Sequence, residues 1–182
     1  DGDMSTNDSF AIIANGENDY IDFSKDKISY QNLEKNLINI SQTLSRKIIE
    51  DGEGSTKIID ISINNAKNHK EAKKIALSLA NSSLIKTAFY GSDPNWGRIL
   101  VKLGSVYHAT YNINKIVLKL NDQTIFKNGS PVKKINYGLL NQKMKKRNIK
   151  VSLSLSSGKG CYNLVTSDLS KKYVDLNSKY ST

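Results

Sequence analysis

The chain has 182 residues, a formal net charge of +10, 38% hydrophobic residues and a single cysteine. One cysteine excludes an internal disulfide framework and fits a reducing compartment, and no run of eighteen apolar residues is present to cross a membrane. With no basic, apolar leader at its start, cytoplasm is the default location.

Residues 1–8 form a dense polar turn rich in hydroxyl and carboxylate side chains, which satisfy loose backbone donors. Residues 10–14 then run apolar up to Asn15-Gly16 and are expected to form a short buried strand closed by a turn. A chain that passes at once into core-like sequence is unusual, and suggests an excised piece of a longer protein. Residues 30–51 give the clearest helix. Leu33, Leu37, Ile40, Leu44 and Ile48 mark one face of a 3.6-residue period, and Asp51-Gly52 ends it. After Glu53-Gly54-Ser55-Thr56-Lys57, residues 58–63 read as a β-branched strand.

A helix is expected from His69 to about Ala80, with Ala72, Ile75, Ala76 and Leu79 inward. Residues 84–90 read as a strand running into Gly91-Ser92-Asp93-Pro94-Asn95-Trp96-Gly97-Arg98. That stretch holds the only Trp and one of the two Pro. Pro94 excludes a central strand position and pushes Asp93 toward extended geometry, and Asn95 is placed to cap a helix over 96–104. Residues 113–120 are expected as a half-exposed strand, turned by Asn121-Asp122 into 124–126. Asn128-Gly129 marks a second hairpin turn. Residues 137–147 read as helix. Residues 149–155 alternate cleanly, with Ile149, Val151, Leu153 and Leu155 on one side. A turn at Gly158-Lys159-Gly160 leads to a strand over 162–165, and a last helix begins near Ser170. Nothing in this order separates domains, so residues 1–182 are expected to act as one unit of α/β class, one sheet or two packed sheets with helices outside.

The available chemistry is sparse. His69 and His108 stand far apart with no metal-ligand spacing, and Cys161 enters a strand, where an inert packed thiol is expected. No metal site and no catalytic nucleophile is assigned within the chain. The basic residues are mostly Lys, with Arg only at Arg46, Arg98 and Arg147, whereas bidentate reading of bases or phosphates favours Arg. The cluster Lys143, Lys145, Lys146, Arg147 and Lys150 also suits a helix C-terminus. Neither nucleic acid nor membrane is expected as a partner. Glu53, flanked by glycines between a helix end and a strand start, sits on backbone that can approach a ligand closely.

Four stretches in the same order carry a family resemblance: residues 1–8, residues 53–57, residues 84–98, and the tail formed by residues 166–170 and 173–182. Together they closely resemble the ornithine acetyltransferase (glutamate N-acetyltransferase) family of arginine biosynthesis, along the whole chain. The resemblance implies a sandwich of two mixed β-sheets between helical layers, outwardly like the N-terminal-nucleophile hydrolases. It implies a precursor that cleaves itself before a Thr, whose hydroxyl then carries acetyl from N2-acetyl-L-ornithine to L-glutamate in a ping-pong cycle. This chain matches most of the β chain of such an enzyme and lacks the segment bearing that Thr. On this reading it is inactive in isolation and pairs with the α chain, the pairs assembling further. No cofactor is implied, though acetyl-CoA serves some members as a co-substrate. The substrate-binding residues implied here are Glu53, Asn177 and Thr182, with Asp93 and Arg98 taken as scaffold. Two other functions are weighed beside this one: a non-catalytic amino-acid-binding or Lys-rich nucleic-acid-binding module, and a peptidase or amidase of the same fold.

Overall fold

In the computed structural model the residues described are 2–3, 5–17 and 21–179. They divide into two compact units, residues 1–48 and 49–182.

The first unit is dominated by α1 (Lys27–Glu50), whose last two residues belong to the second unit. Its start is set locally. Asp26 Oδ1 accepts from the Ser29 amide at 3.0 Å and its other oxygen from the Ser29 hydroxyl at 2.6 Å, so the carboxylate occupies donors the helix leaves open. These bonds, the hydroxyl first, hold the Asp26 carboxyl below its ordinary value. The expected apolar stripe exists, yet no side chain of α1 is buried. The buried strand expected at 10–14 is not found. The segment has no regular structure, and Ile13 is 92% exposed. A strand persists by pairing its backbone groups, and no strand of the described residues pairs with this segment.

The second unit is built on a six-stranded sheet in the order β4-β3-β2-β5-β1-β6. Its strands are β1 (Ile58–Ala66), β2 (Val117–Leu120), β3 (Gln123–Lys127), β4 (Ser130–Pro131), β5 (Asn148–Ser154) and β6 (Gly160–Ser167). β1 runs parallel to β5 and antiparallel to β6, so the sheet is mixed. The α/β class expected from the sequence is observed; of the one or two sheets the pattern allowed, and the two the resemblance implied, the described strands form one.

Alternation decides the layers. Ile59, Ile61 and Ile63 of β1 share a face with Ile149, Val151 and Leu153 of β5, and all are buried. They form one core with side chains from α2 (His69–Ala80), α3 (Ser83–Tyr90), α4 (Trp96–Gly104) and α5 (Tyr137–Met144). The sequence expectation for α2 holds residue by residue: Ala72, Ile75, Ala76 and Leu79 are buried. Asn121 and Asp122 both take positive φ, 47° and 67°, which matches the twist of the β2–β3 hairpin. A short 3₁₀ turn (Ile113–Lys115) replaces the first half of the strand expected over 113–120.

The expected strand at 84–90 is instead the helix α3. Ile85, Ala88 and Phe89 face inward at helical spacing, and the Thr87 hydroxyl donates to the Ser83 carbonyl at 2.8 Å one turn back. The last helix, α6 (Lys171–Ser178), differs from α2 to α5 in burying no side chain at all.

Candidate functional site

The Glu53 loop lies between the end of α1 and the start of β1, and α6 faces it across a cleft of about 530 Å³. Glu53, Thr56, Tyr90, Ser170, Lys172 and Leu176 are among its lining residues. Two of the residues implied by the resemblance meet here. The Asn177 side-chain amide donates to Glu53 Oε2 at 3.0 Å, across 124 residues of sequence, and also to the Tyr173 carbonyl at 2.9 Å. A carboxylate has lone pairs beyond the one Asn177 uses, so the pair leaves acceptor capacity for a cationic ligand. Thr182, the third residue implied, lies outside the described residues.

Beneath the loop is a buried cluster of three charged side chains. Asp168 is 4% exposed; its Oδ1 accepts from the Thr56 and Lys57 amides, each at 2.9 Å, and its Oδ2 from the Thr56 hydroxyl. Lys57 Nζ donates to the carbonyls of Met144, Lys145 and Lys146 at 2.9, 2.9 and 3.1 Å. That is the C-terminal end of α5, where helix carbonyls favour a cation. Lys86, on α3, donates to the Thr166 hydroxyl at 3.1 Å and the Ser167 carbonyl at 2.6 Å. Burial pulls both ammonium groups below the ordinary lysine value, and the negative charge of Asp168 opposes that pull.

Sequence reasoning missed this cluster. One signal was available for it: Lys86 stands among Ile85, Ala88 and Phe89, where a charge survives only with several partners.

The 91–98 stretch behaves as scaffold. Asn95 caps α4 by accepting from the Arg98 amide at 3.2 Å, and Asp93 accepts from the Asn95 side-chain amide at 3.0 Å. The Arg98 guanidinium reaches back to the Leu84 carbonyl at 2.6 Å, tying α4 to α3. Trp96 packs its ring 5.8 Å from that of Phe126. A second hollow, about 760 Å³, opens between residues 91–97 and Tyr137, Asn141 and Lys145.

The basic cluster is largely occupied with internal contacts. Lys143 donates to the Asn121 carbonyl, Arg147 to the Glu50 carbonyl, and Lys150 lies 3.8 Å from Asp122. Cys161 is exposed rather than packed, because edge strand β6 turns it outward next to buried Gly160. His69 Nδ1 lies 3.0 Å from the Cys161 carbonyl. No group of metal-binding side chains occurs among the described residues, and none of their helices is long and apolar enough to cross a membrane.

The ArgJ family model matches residues 1–182 in full. The chain belongs to the ArgJ family. It is 36% identical over its whole length to the arginine biosynthesis bifunctional protein ArgJ of Lactococcus lactis. It is 37% identical, over 99% of its length, to the ArgJ protein of Neisseria meningitidis serogroup A. The chain spans 45% of the length of each of these ArgJ proteins. Among solved structures it is similar to a crystal structure of ArgJ from Bacillus halodurans. That match has a TM-score of 0.89 and 32% identity, and covers 99% of this chain and 84% of the other.

Proposed function

We propose that this chain forms the amino-acid-binding wall of an acetyltransferase of arginine biosynthesis, one that moves acetyl from N2-acetyl-L-ornithine to L-glutamate. The observation that carries this reading is the contact of Asn177 with Glu53 at the edge of a cleft, in a chain of the ArgJ family. N2-acetylornithine keeps a free side-chain ammonium, and Glu53 supplies the charge that binds it. Asn177 fixes the carboxylate so that its remaining lone pairs face the ligand. Thr182 is included as a substrate contact on the family resemblance.

In this reading the acetyl carrier is a threonine on a segment upstream of this chain. Its hydroxyl oxygen bonds to the acetyl carbon, the amide C–N bond breaks, and the departing amine of ornithine takes the proton relayed from the hydroxyl. Glutamate's free amine then attacks the acetyl ester and restores the hydroxyl. No cofactor is needed, and acetyl-CoA would enter only as an alternative acetyl donor. The chain would work paired with an α chain, in the cytoplasm, and would not turn over alone.

Titrating the 182-residue chain with L-ornithine, followed by amide NMR, tests the reading. Resonances of residues 52–57 and of the Asn177 side chain are expected to shift. L-norvaline, which has the same carbons without the terminal amine, leaves them in place. Glu53→Gln weakens ornithine binding by about 2–3 kcal/mol, the scale of a lost hydrogen bond to a charged group. Equal responses to ornithine and norvaline would remove Glu53 from ammonium recognition.

A further inference from the structure

We propose that Asp168 and Ser170 are positioning residues that hold Glu53 and Asn177 together across the cleft. The inference rests on reading that cleft as an amino-acid site.

Neither wall is anchored by a buried apolar side chain of its own. Glu53 is exposed and stands between two glycines, the residues that restrain backbone least. α6, which carries Asn177, buries no side chain, and its Val174 is 54% exposed. A helix without a buried face gains little from apolar packing to fix its position. What joins the two walls is the three-residue segment 168–170. Asp168 holds the loop at Thr56 and Lys57 through both amides and the Thr56 hydroxyl. Ser170 is 3% exposed; its hydroxyl donates to the Gly54 carbonyl at 2.6 Å and accepts from the Tyr173 amide at 3.1 Å. One side chain therefore caps α6 and grips the loop beside Glu53.

The fit at Gly54 is close. Its φ is +66°, and a Cβ there would lie 2.6 Å from the Tyr173 nitrogen, so the loop is seated directly on the first turn of α6. The segment is in turn rooted in the core: it leaves β6 at Ser167, whose carbonyl accepts from buried Lys86. The geometry forms a continuous path from core to loop to helix, and the Glu53–Asn177 distance is set at its end.

The chemistry of Asp168 allows geometry to be separated from charge. In Asp168→Asn the amide oxygen can still accept from both backbone amides, and the amide nitrogen can donate to a Thr56 hydroxyl that has reversed its own bond. Asp168→Ala keeps none of these bonds. Ser170→Thr keeps a hydroxyl at the cap, and Ser170→Ala does not.

Two readouts on the 182-residue chain test the proposal. The first needs no ligand: the nuclear Overhauser contact between the Asn177 side-chain amide and the Glu53 γ-protons. The second is the dissociation constant for L-ornithine. We expect Asp168→Ala and Ser170→Ala to lose the contact and to weaken ornithine by between about tenfold and about a hundredfold, the scale of a misplaced binding group. Asp168→Asn and Ser170→Thr are expected to restore both. An intact Glu53–Asn177 contact in folded alanine variants overturns the proposal, as does failure of both conservative variants to restore it. If Asp168→Ala does not fold, the Ser170 pair decides by the same criteria. If the wild-type chain does not bind ornithine, the reading of the site fails while the ligand-free contact still decides on positioning.

Discussion

α1 and α2 look alike in sequence and end differently in the molecule. Both begin at a side-chain cap: Asp26 for α1, and for α2 Asn68, which accepts from the Glu71 amide at 2.9 Å. Both carry an apolar stripe at helical spacing. Yet α2 buries five side chains and α1 buries none. Caps and periodicity specify a helix from within its own stretch, whereas burial needs a counter-surface built elsewhere. For α2 that surface is β1 and β6.

The contrast can be tested by how much stability each region carries in the 182-residue chain, read from urea denaturation midpoints. Asp168→Ala is expected to cost most, about 3–5 kcal/mol, since it removes the carboxylate shared by three donors and leaves two buried ammonium groups without their counter-charge. Leu79→Ala, in the α2 face, follows at about 2–5 kcal/mol.

The lysines of the cluster add a pH dependence of known sign. Because burial lowers the Lys86 value, the folded chain holds fewer protons than the unfolded chain between that lowered value and 10.5. The cost of burying its charge is present in full below the lowered value and fades as pH rises through this window. Lys86 thus contributes a rise in stability with pH, and Lys86→Met is expected to flatten the slope. An unchanged slope would show that Lys86 titrates as in the unfolded chain.

Asn68→Ala, which removes only the cap of α2, is expected to cost about 1 kcal/mol. Leu44→Ala on α1 comes last, within about 0.5 kcal/mol, because its side chain is already 51% exposed. A loss at Leu44 as large as that at Leu79 would break the comparison, by showing that α1 is covered in solution.

What could be read from sequence divides along the same line. α2, α4, β5 and the hairpin turns were legible because their signals are local: a period, a cap, a pair of turn residues. The strand expected at 84–90 became α3 because a short apolar run carries both periods. Ile85, Ala88 and Phe89 fit a helix as well as the run as a whole fits a strand. At the site, the Gly-flanked setting of Glu53 stands out in the sequence, and the family resemblance implies Asn177 as a second substrate contact, but their pairing appears only in the fold, since no spacing relates residues so far apart. In sequence, Asp168 is only one residue of the tail motif. Its three donors come from a loop distant in sequence, and only the fold brings them together.

The strand order also has a consequence for synthesis. β1 lies between β5 and β6, the last two of the described strands in chain order. At roughly 5–20 residues per second, β1 leaves the ribosome several seconds before either neighbour exists. During that interval its Ile-rich segment, with one acidic residue and no proline to interrupt it, offers both edges to any passing strand. Between completion of β1 and arrival of β5 the nascent chain therefore carries an unpaired apolar strand, the kind of segment that favours aggregation.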